Sequence, residues 1–230
     1  MTEAGSTGAV DIDRRTTVIL GTALLCLWGA RFGDRLRPDD WQPLATMCFW
    51  SATQIVFYLV VPLTVLTAVG VRPGEIGWRF RGTATQWTKY AALFAVAVPF
   101  VLAASYSGEF QERYPLLDVV PGQTGVWGDL AVWWVFYAVQ FVAVETFFRG
   151  VLVIGLAPRL GRLAVPLATV PYLMIHFVKP PAEALASIVG GLVMGTLALR
   201  TRTVWWGVAL HVAVAATMDV LSLGQKGFVW

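Results

Sequence analysis

Residues 130–157 read LAVWWVFYAVQFVAVETFFRGVLVIGLA, an apolar run interrupted by only two charged residues, Glu145 and Arg149. A helix needs roughly 20 consecutive apolar residues to cross the hydrocarbon layer of a bilayer, and this run is longer. It lacks the period-2 alternation of a barrel strand, and a helix satisfies its own backbone hydrogen bonds in lipid. The stretch therefore predicts a transmembrane helix.

The composition of the whole chain agrees with this prediction. The 230 residues are 57% apolar and 13% charged, and the mean hydropathy is +0.66. A soluble domain carries about 25% charged residues, and one domain of this length cannot enclose so much apolar surface. The composition excludes a water-soluble globule and a disordered chain, so most apolar side chains are expected to face lipid.

Six further apolar stretches resemble the first, and together they predict an all-α, polytopic transmembrane helix bundle of seven spans. The fourth stretch is long enough to be two short segments, so eight spans is an alternative. Pro62 predicts a kink in the second stretch. We expect one integral membrane domain over residues 1–230, with scaffold spans over about 16–106 and motif-bearing spans over about 130–223. The seven predicted spans are residues 16–32, 44–69, 90–106, 130–157, 163–177, 184–199 and 204–223.

The basic residues predict the orientation of the bundle. With seven spans, ten Lys and Arg residues fall in the connections on one side and six on the other, leaving out Arg149 inside a span. Cytoplasmic loops carry the excess of positive charge, so we expect a multi-pass protein with a cytoplasmic amino terminus. Because the basic residues are spread through these connections, they indicate topology and no nucleic-acid partner. Membrane lipid is the expected surrounding, and the oligomeric state is open.

Ionisable side chains at bilayer depth are confined to the last four predicted spans. They are Glu145, Arg149, His176, His211 and Asp219. Each such group costs about 2.5–3.5 kcal/mol on insertion scales, and such groups face a bundle interior or a wet cavity. The first three spans carry none apart from Arg31 at a boundary. A functional site is therefore predicted in the last two-fifths of the chain.

Glu145 and Arg149 are four residues apart, which places them on one helix face in the favourable order for an ion pair. A buried pair that only locks the bundle would explain these two residues equally well. The histidines favour a site, because the chain has only two, His176 and His211, and both fall inside predicted spans. At 1.5 Å per residue, Glu145, His176 and His211 lie about 18, 20 and 11 Å from the cytoplasmic face, so they can share one layer.

Three motifs in this region resemble those of one family of membrane proteases. Residues 144–150, VETFFRG, resemble the EExxxR motif of the CAAX-protease and bacteriocin-processing family, the type II CAAX prenyl endopeptidase-like intramembrane proteins. Tyr172 and His176 resemble the FxxxH motif of this family, with Tyr in place of Phe, and His211 resembles the start of its HxxxN or HxxxD motif. The three motifs occur in the family's order over about residues 130–223.

The resemblance implies an intramembrane endopeptidase that cleaves peptide bonds with an activated water. It implies four catalytic residues: Glu145 as the base, Arg149 as the residue that orients it, His176 on the water and His211 at the oxyanion. The implied substrate is a hydrophobic or lipidated peptide or protein. Tyr172 is expected to be a packing aromatic, with a hydrogen bond inside the cavity as the alternative.

Two positions depart from the family's motifs. Val144 stands where the family has its first glutamate, and Ala215 stands where it has Asn or Asp. Asp219, one turn beyond Ala215 on the same helix face, is the nearest carboxylate and could donate to the oxyanion if protonated. The departures keep a second hypothesis open, in which the chain is a catalytically impaired member that acts as a membrane binding, immunity or assembly factor.

The residues also leave the cofactor open. Glu145, His176 and His211 include the ligand types that hold a catalytic divalent metal such as zinc, although their spacing is not the H-E-x-x-H pattern. A third class of function is haem or ion handling, with the two histidines as axial haem ligands or with Asp219 and Glu145 as a proton relay. Gly191 and Gly195 form a GxxxG pattern, which indicates close packing within the bundle more than self-association.

Overall fold

The computed structural model describes residues 13–228, and within that range the chain forms helices and no β-strand. The predicted all-α fold is therefore confirmed. The described residues contain ten α-helices: α1 Arg14–Phe32, α2 Pro43–Ile55, α3 Val61–Ala68, α4 Trp87–Ser105, α5 Gly108–Arg113, α6 Val126–Glu145, α7 Gly155–Leu160, α8 Ala164–Met174, α9 Pro181–Thr201 and α10 Trp205–Gln225.

Six helical segments in the described residues are long and apolar enough to cross a membrane. They confirm an integral, multi-pass protein, whereas the side on which the amino terminus lies stays a prediction, and residues 1–12 are outside the described range. The six segments are Arg14–Leu36, Pro43–Ala68, Ala84–Ser105, Val126–Met174, Pro181–Thr201 and Trp205–Gln225.

The second segment is continuous but changes its hydrogen-bond pattern in the middle. α2 is followed directly by a π-helical turn over Val56–Val60 and then by α3. Pro62 lies in the first turn of α3, where its missing N–H removes one helical hydrogen bond. A π turn therefore lies just before Pro62, and such turns are one cause of helix kinks, whereas the kink at Pro62 itself stays a prediction.

The fourth segment, Val126–Met174, is the centre of the bundle. Its most apolar window is 83% buried, against 11–39% for the other five segments. It combines the predicted fourth and fifth spans: α6 continues as a π helix over Thr146–Ile154 into α7, and the chain reverses at Gly161, whose φ is +57°. α8 then packs back against the π helix. With 11 residues, α8 is about 16 Å long, which is why six long segments are found where seven spans were predicted.

α9 returns alongside α8, and glycines set the distance between them. A Cβ on Gly191 would lie 2.7 Å from Cγ2 of Thr169, and one on Gly195 would lie 3.0 Å from Cγ1 of Val165. A side chain at either position would press into α8, so the GxxxG pattern allows close approach within the bundle, as predicted.

The connection between the second and third segments is folded against the start of α10. The backbone N–H of Val204 donates to the carbonyl of Gly77 at 3.1 Å, and the Thr203 hydroxyl donates to the carbonyl of Arg79 at 2.9 Å. Gly150 lets this connection approach the π helix, because a Cβ there would lie 2.7 Å from the carbonyl oxygen of Ile76. The connection therefore lies against the π helix that follows Glu145 in the chain.

Candidate active site

Glu145 and Arg149 form an ion pair at the junction between α6 and the π helix. One guanidinium nitrogen of Arg149 lies 3.1 Å from Glu145 Oε1, and both side chains are almost completely buried. The predicted pairing is confirmed, although the backbone between the two residues is π-helical. A charge buried to this degree needs compensation, and each side chain of the pair supplies the opposite charge for the other.

His211 of α10 contacts the same carboxylate oxygen. Its Nδ1 lies 2.7 Å from Glu145 Oε1, and its ring stacks on Phe141 of α6 with the planes 10° apart. α6 and α10 run antiparallel, because Trp134, earlier in α6, contacts Asp219, later in α10. This register brings the two residues together, and the prediction that Glu145 and His211 share a layer is confirmed.

Gly207 provides the space that the carboxylate occupies. It lies one turn before His211, and a Cβ built on it would overlap Oε2 of Glu145 and lie 2.9 Å from Cδ. The sequence analysis did not identify this residue. The signal it offers is spacing, since Gly207 and His211 are four apart and share a helix face.

Tyr172 of α8 contacts three of the predicted site residues. Its hydroxyl lies 2.9 Å from His211 Nε2, its ring centroid lies 4.1 Å from the guanidinium carbon of Arg149, and its carbonyl oxygen lies 2.8 Å from His176 Nδ1. The side chain is 4% exposed. The hydrogen bond that sequence analysis held as an alternative is thus present, and Tyr172 joins the site.

His176 reaches the site through Tyr172. It follows the end of α8, is half-buried, and packs its ring 4.6 Å from the ring of Tyr172. Its contacts connect it to the backbone of α8 and not to the carboxylate of Glu145. The histidine that touches Glu145 is His211.

The predicted metal ligands do not converge. Among residues 13–228, no group of three His, Cys, Asp or Glu side chains has an arrangement that could hold a metal ion. Glu145 and His211 are in contact, but His176 directs Nδ1 to a carbonyl oxygen. Within the described residues, Glu145, His176 and His211 are therefore not arranged as a ligand set for zinc.

The two departures from the motifs are filled by apolar packing. Val144 is 7% exposed and lies in the main apolar core, and Ala215 lies in a second apolar cluster between α6 and α10. Asp219 does not reach the site. Its Oδ2 accepts from Nε1 of Trp134 at 2.9 Å, and Trp134 precedes Glu145 by about 16 Å along α6. The proposed donation from Asp219 to an oxyanion is not supported by this position.

A small cavity lies beside Arg149 and Tyr172, on the side of α9. Its volume is about 10 Å³, close to the minimum that one water molecule needs. Its lining is completed by Phe148, Val153, Ala168, Thr169 and Gly191. On the other side of the ion pair, Trp78 of the folded connection donates its indole N–H to the Thr146 hydroxyl at 3.0 Å. The carboxylate is thus enclosed on several sides.

Comparison with known proteins agrees with this geometry. Residues 126–217 match the family model described as Type II CAAX prenyl endopeptidase Rce1-like. The resemblance to the CAAX-protease family is confirmed. The CAAX-protease match includes Glu145, Arg149, His176 and His211 and ends before Asp219, which the structure also places away from the ion pair. No curated protein and no solved structure matches the chain.

Proposed function

We propose that this protein is an intramembrane peptide hydrolase of the CAAX-protease type, with Glu145 as its base. The observation that carries the proposal is the contact of a fully buried carboxylate with an imidazole at 2.7 Å and a guanidinium at 3.1 Å. A bundle needs no such arrangement for stability, since apolar residues of similar volume serve as well. General-base catalysis does need a carboxylate held in one place.

Each residue of the site has a role that its contacts support. Arg149 orients the carboxylate, and His211 lies against it with Nδ1 2.7 Å from Oε1. Nδ1 of His176 faces a carbonyl oxygen, which only accepts, so this nitrogen carries the proton and Nε2 is left as an acceptor for a water. His176 therefore keeps its proposed role on the water, and His211 is proposed to act beside Glu145, where its Nδ1 lies, instead of at the oxyanion.

The proposed reaction balances with these groups. The carboxylate of Glu145 takes a proton from water as the water oxygen forms a bond to the peptide carbonyl carbon, whose oxygen becomes negatively charged. When this intermediate collapses, the C–N bond breaks and Glu145 returns the proton to the leaving nitrogen. Glu145 is 0% exposed, so a substrate can reach it only after a neighbouring element moves.

The test compares matched variants on a defined probe. We expect the full chain in detergent micelles to cleave a farnesylated peptide with a CAAX carboxy terminus, with the new termini identified by mass spectrometry. Glu145→Gln, His176→Ala and His211→Ala should each lower the rate at least about 100-fold. Asp219→Asn is the control, because it alters a buried carboxylate outside the site.

Failure would take one of two forms. The proposal is wrong if the wild-type protein leaves the peptide intact at high enzyme concentration. It is also wrong if all three site variants cleave at the wild-type rate while thermal unfolding shows that they are folded.

A second candidate is a catalytically impaired protein that binds a hydrophobic partner as an immunity or assembly factor. Val144 favours it, because an apolar side chain packed in the core replaces one of the two carboxylates of the family motif. In this case Val144→Glu should create peptide cleavage that the wild-type chain lacks. Cleavage by the unaltered chain would remove this candidate.

A further inference from the structure

Both ring nitrogens of His211 lie close to polar groups, and of the two only Nε2 has hydrogen-bond geometry. Nδ1 lies 2.7 Å from the carboxylate of Glu145, and Nε2 lies 2.9 Å from the hydroxyl of Tyr172. The ring is also stacked on Phe141 at a centroid distance of 5.1 Å. The imidazole is therefore held between a carboxylate and a phenol.

Tyr172 is itself held from several sides. The guanidinium of Arg149 lies over its ring, and the ring of Phe148 meets it at a centroid distance of 5.3 Å. On the side of α9, Gly191 leaves space for the ring, because a Cβ there would lie 3.2 Å from Cδ1 of Tyr172. The ring that carries the hydroxyl is thus packed by Arg149, Phe148 and α9 in addition to its bond to His211.

The partners of His211 determine which nitrogen carries the proton. A lone pair of Nδ1 would face an ionised carboxylate oxygen at 2.7 Å, so the contact favours a proton on Nδ1. In a neutral imidazole Nε2 is then the acceptor, and the Tyr172 hydroxyl is the group that donates to it. The other tautomer would set a lone pair of Nδ1 against the carboxylate and leave the hydroxyl to accept from Nε2.

We propose that Tyr172 is a positioning residue whose hydroxyl holds His211 in the Nδ1–H tautomer, with Nδ1 beside the carboxylate of Glu145. The FxxxH motif that this part of the chain resembles has Phe at this position, which lacks the hydroxyl. The assignment of the tautomer stands on these contacts alone, and its effect on turnover rests on the proposed function.

The decisive measurement is ¹⁵N NMR of histidine side chains in the full chain in detergent micelles at pH 8, where an unperturbed imidazole is neutral. The chain has only two histidines, so His176→Asn leaves a single ring, that of His211. In this background we expect a protonated Nδ1 and an unprotonated Nε2. Adding Tyr172→Phe removes only the hydroxyl and should lower the ratio of Nδ1–H to Nε2–H tautomers about tenfold, as expected for one hydrogen bond.

Tyr90→Phe is the matched control. It removes another buried hydroxyl, from α4, which is not bonded to either histidine. The control should leave the spectrum of His211 unchanged. An unchanged tautomer in Tyr172→Phe, or an Nε2–H tautomer in the parent, would overturn the inference.

Kinetics provides a second readout. In an otherwise unaltered chain, Tyr172→Phe should lower kcat about tenfold on the farnesylated peptide with little change in KM, and Tyr90→Phe should change neither. Equal kcat values for Tyr172→Phe and wild type would contradict the inference. If the wild-type chain does not cleave the peptide, the proposed function fails, and the NMR result still decides the role of Tyr172.

Discussion

Gly207→Ala tests whether the carboxylate of Glu145 lies where the structure places it. The added Cβ would overlap Oε2 and lie 2.9 Å from Cδ, whereas ordinary contacts of this kind are 3.4–4 Å. The carboxylate oxygen therefore has to move by about 1 Å, away from its place between Arg149 and His211. Gly190→Ala is the control, because a Cβ at that position in α9 meets nothing within 4 Å.

Two effects on stability oppose each other. Overpacking of a buried site costs about 1–3 kcal/mol, and replacing Gly by Ala inside a helix returns about 0.5–1 kcal/mol. We expect a net loss of about 0–2 kcal/mol for Gly207→Ala and a small gain for Gly190→Ala. Activity should respond far more strongly, because a displacement of about 1 Å in a catalytic group costs about 100-fold in rate.

The assay combines thermal unfolding in detergent with cleavage of the farnesylated peptide. The double variant Gly207→Ala with Glu145→Asp shortens the acidic side chain by one methylene, which relieves the overlap. Its loss of stability should therefore be smaller than the sum of the losses in the two single variants. Wild-type cleavage and an unchanged Tm for Gly207→Ala would refute the placement of the carboxylate. Strict additivity in the double variant would refute the overlap.

Two further predictions concern residues outside the ion pair. The backbone N–H of Arg72 and the guanidinium of Arg15 bond the Glu75 carboxylate and hold the pKa of Glu75 below its ordinary value of 4.5. The stabilisation by the ionised Glu75 carboxylate is present above pH 4.5 and is lost as the pH falls through the lowered pKa. Glu75→Gln should therefore lower Tm at pH 7 but not in strong acid. An equal change in Tm at both pH values would contradict this prediction. Asp219→Ala leaves the Trp134 N–H unpaired and should lower the free energy of unfolding by about 1–3 kcal/mol. Asp219→Asn keeps an acceptor for this N–H and should cleave the peptide within twofold of the wild-type rate. Loss of cleavage in Asp219→Asn would show that Asp219 belongs to the site.

Hydropathy was sufficient to predict the helices. In lipid, each crossing segment must form its backbone hydrogen bonds internally and must carry mainly apolar side chains, so a long apolar run indicates a helix. The predicted spans 44–69 and 184–199 lie within two or three residues of the helical segments Pro43–Ala68 and Pro181–Thr201. The number of long segments differed because hydropathy does not report where a chain reverses. α8 is apolar enough to be predicted as a span, yet it is short and packs against the preceding π helix.

The residue types of the site could also be predicted, since Glu145 and Arg149 in an apolar helix need a compensating environment. Their pairing followed from spacing within one helix. Spacing could not predict which residue of another helix contacts Glu145. Spacing along the chain does not determine how α6, α8 and α10 are rotated relative to one another. From the sequence, His176 and His211 were therefore equally suitable as the partner of Glu145.

The sequence by itself determined that this protein is a bundle of membrane helices whose few buried ionisable groups lie in the last two-fifths of the chain. Composition and local spacing suffice for that, because the cost of charge in lipid depends on the residue and its depth. Only the tertiary structure decided that His211 contacts Glu145, that Tyr172 joins the two histidines and that Asp219 belongs elsewhere. The reason is that helix register and rotation are determined by packing between helices, here by Gly207 against a carboxylate and by Gly191 against α8.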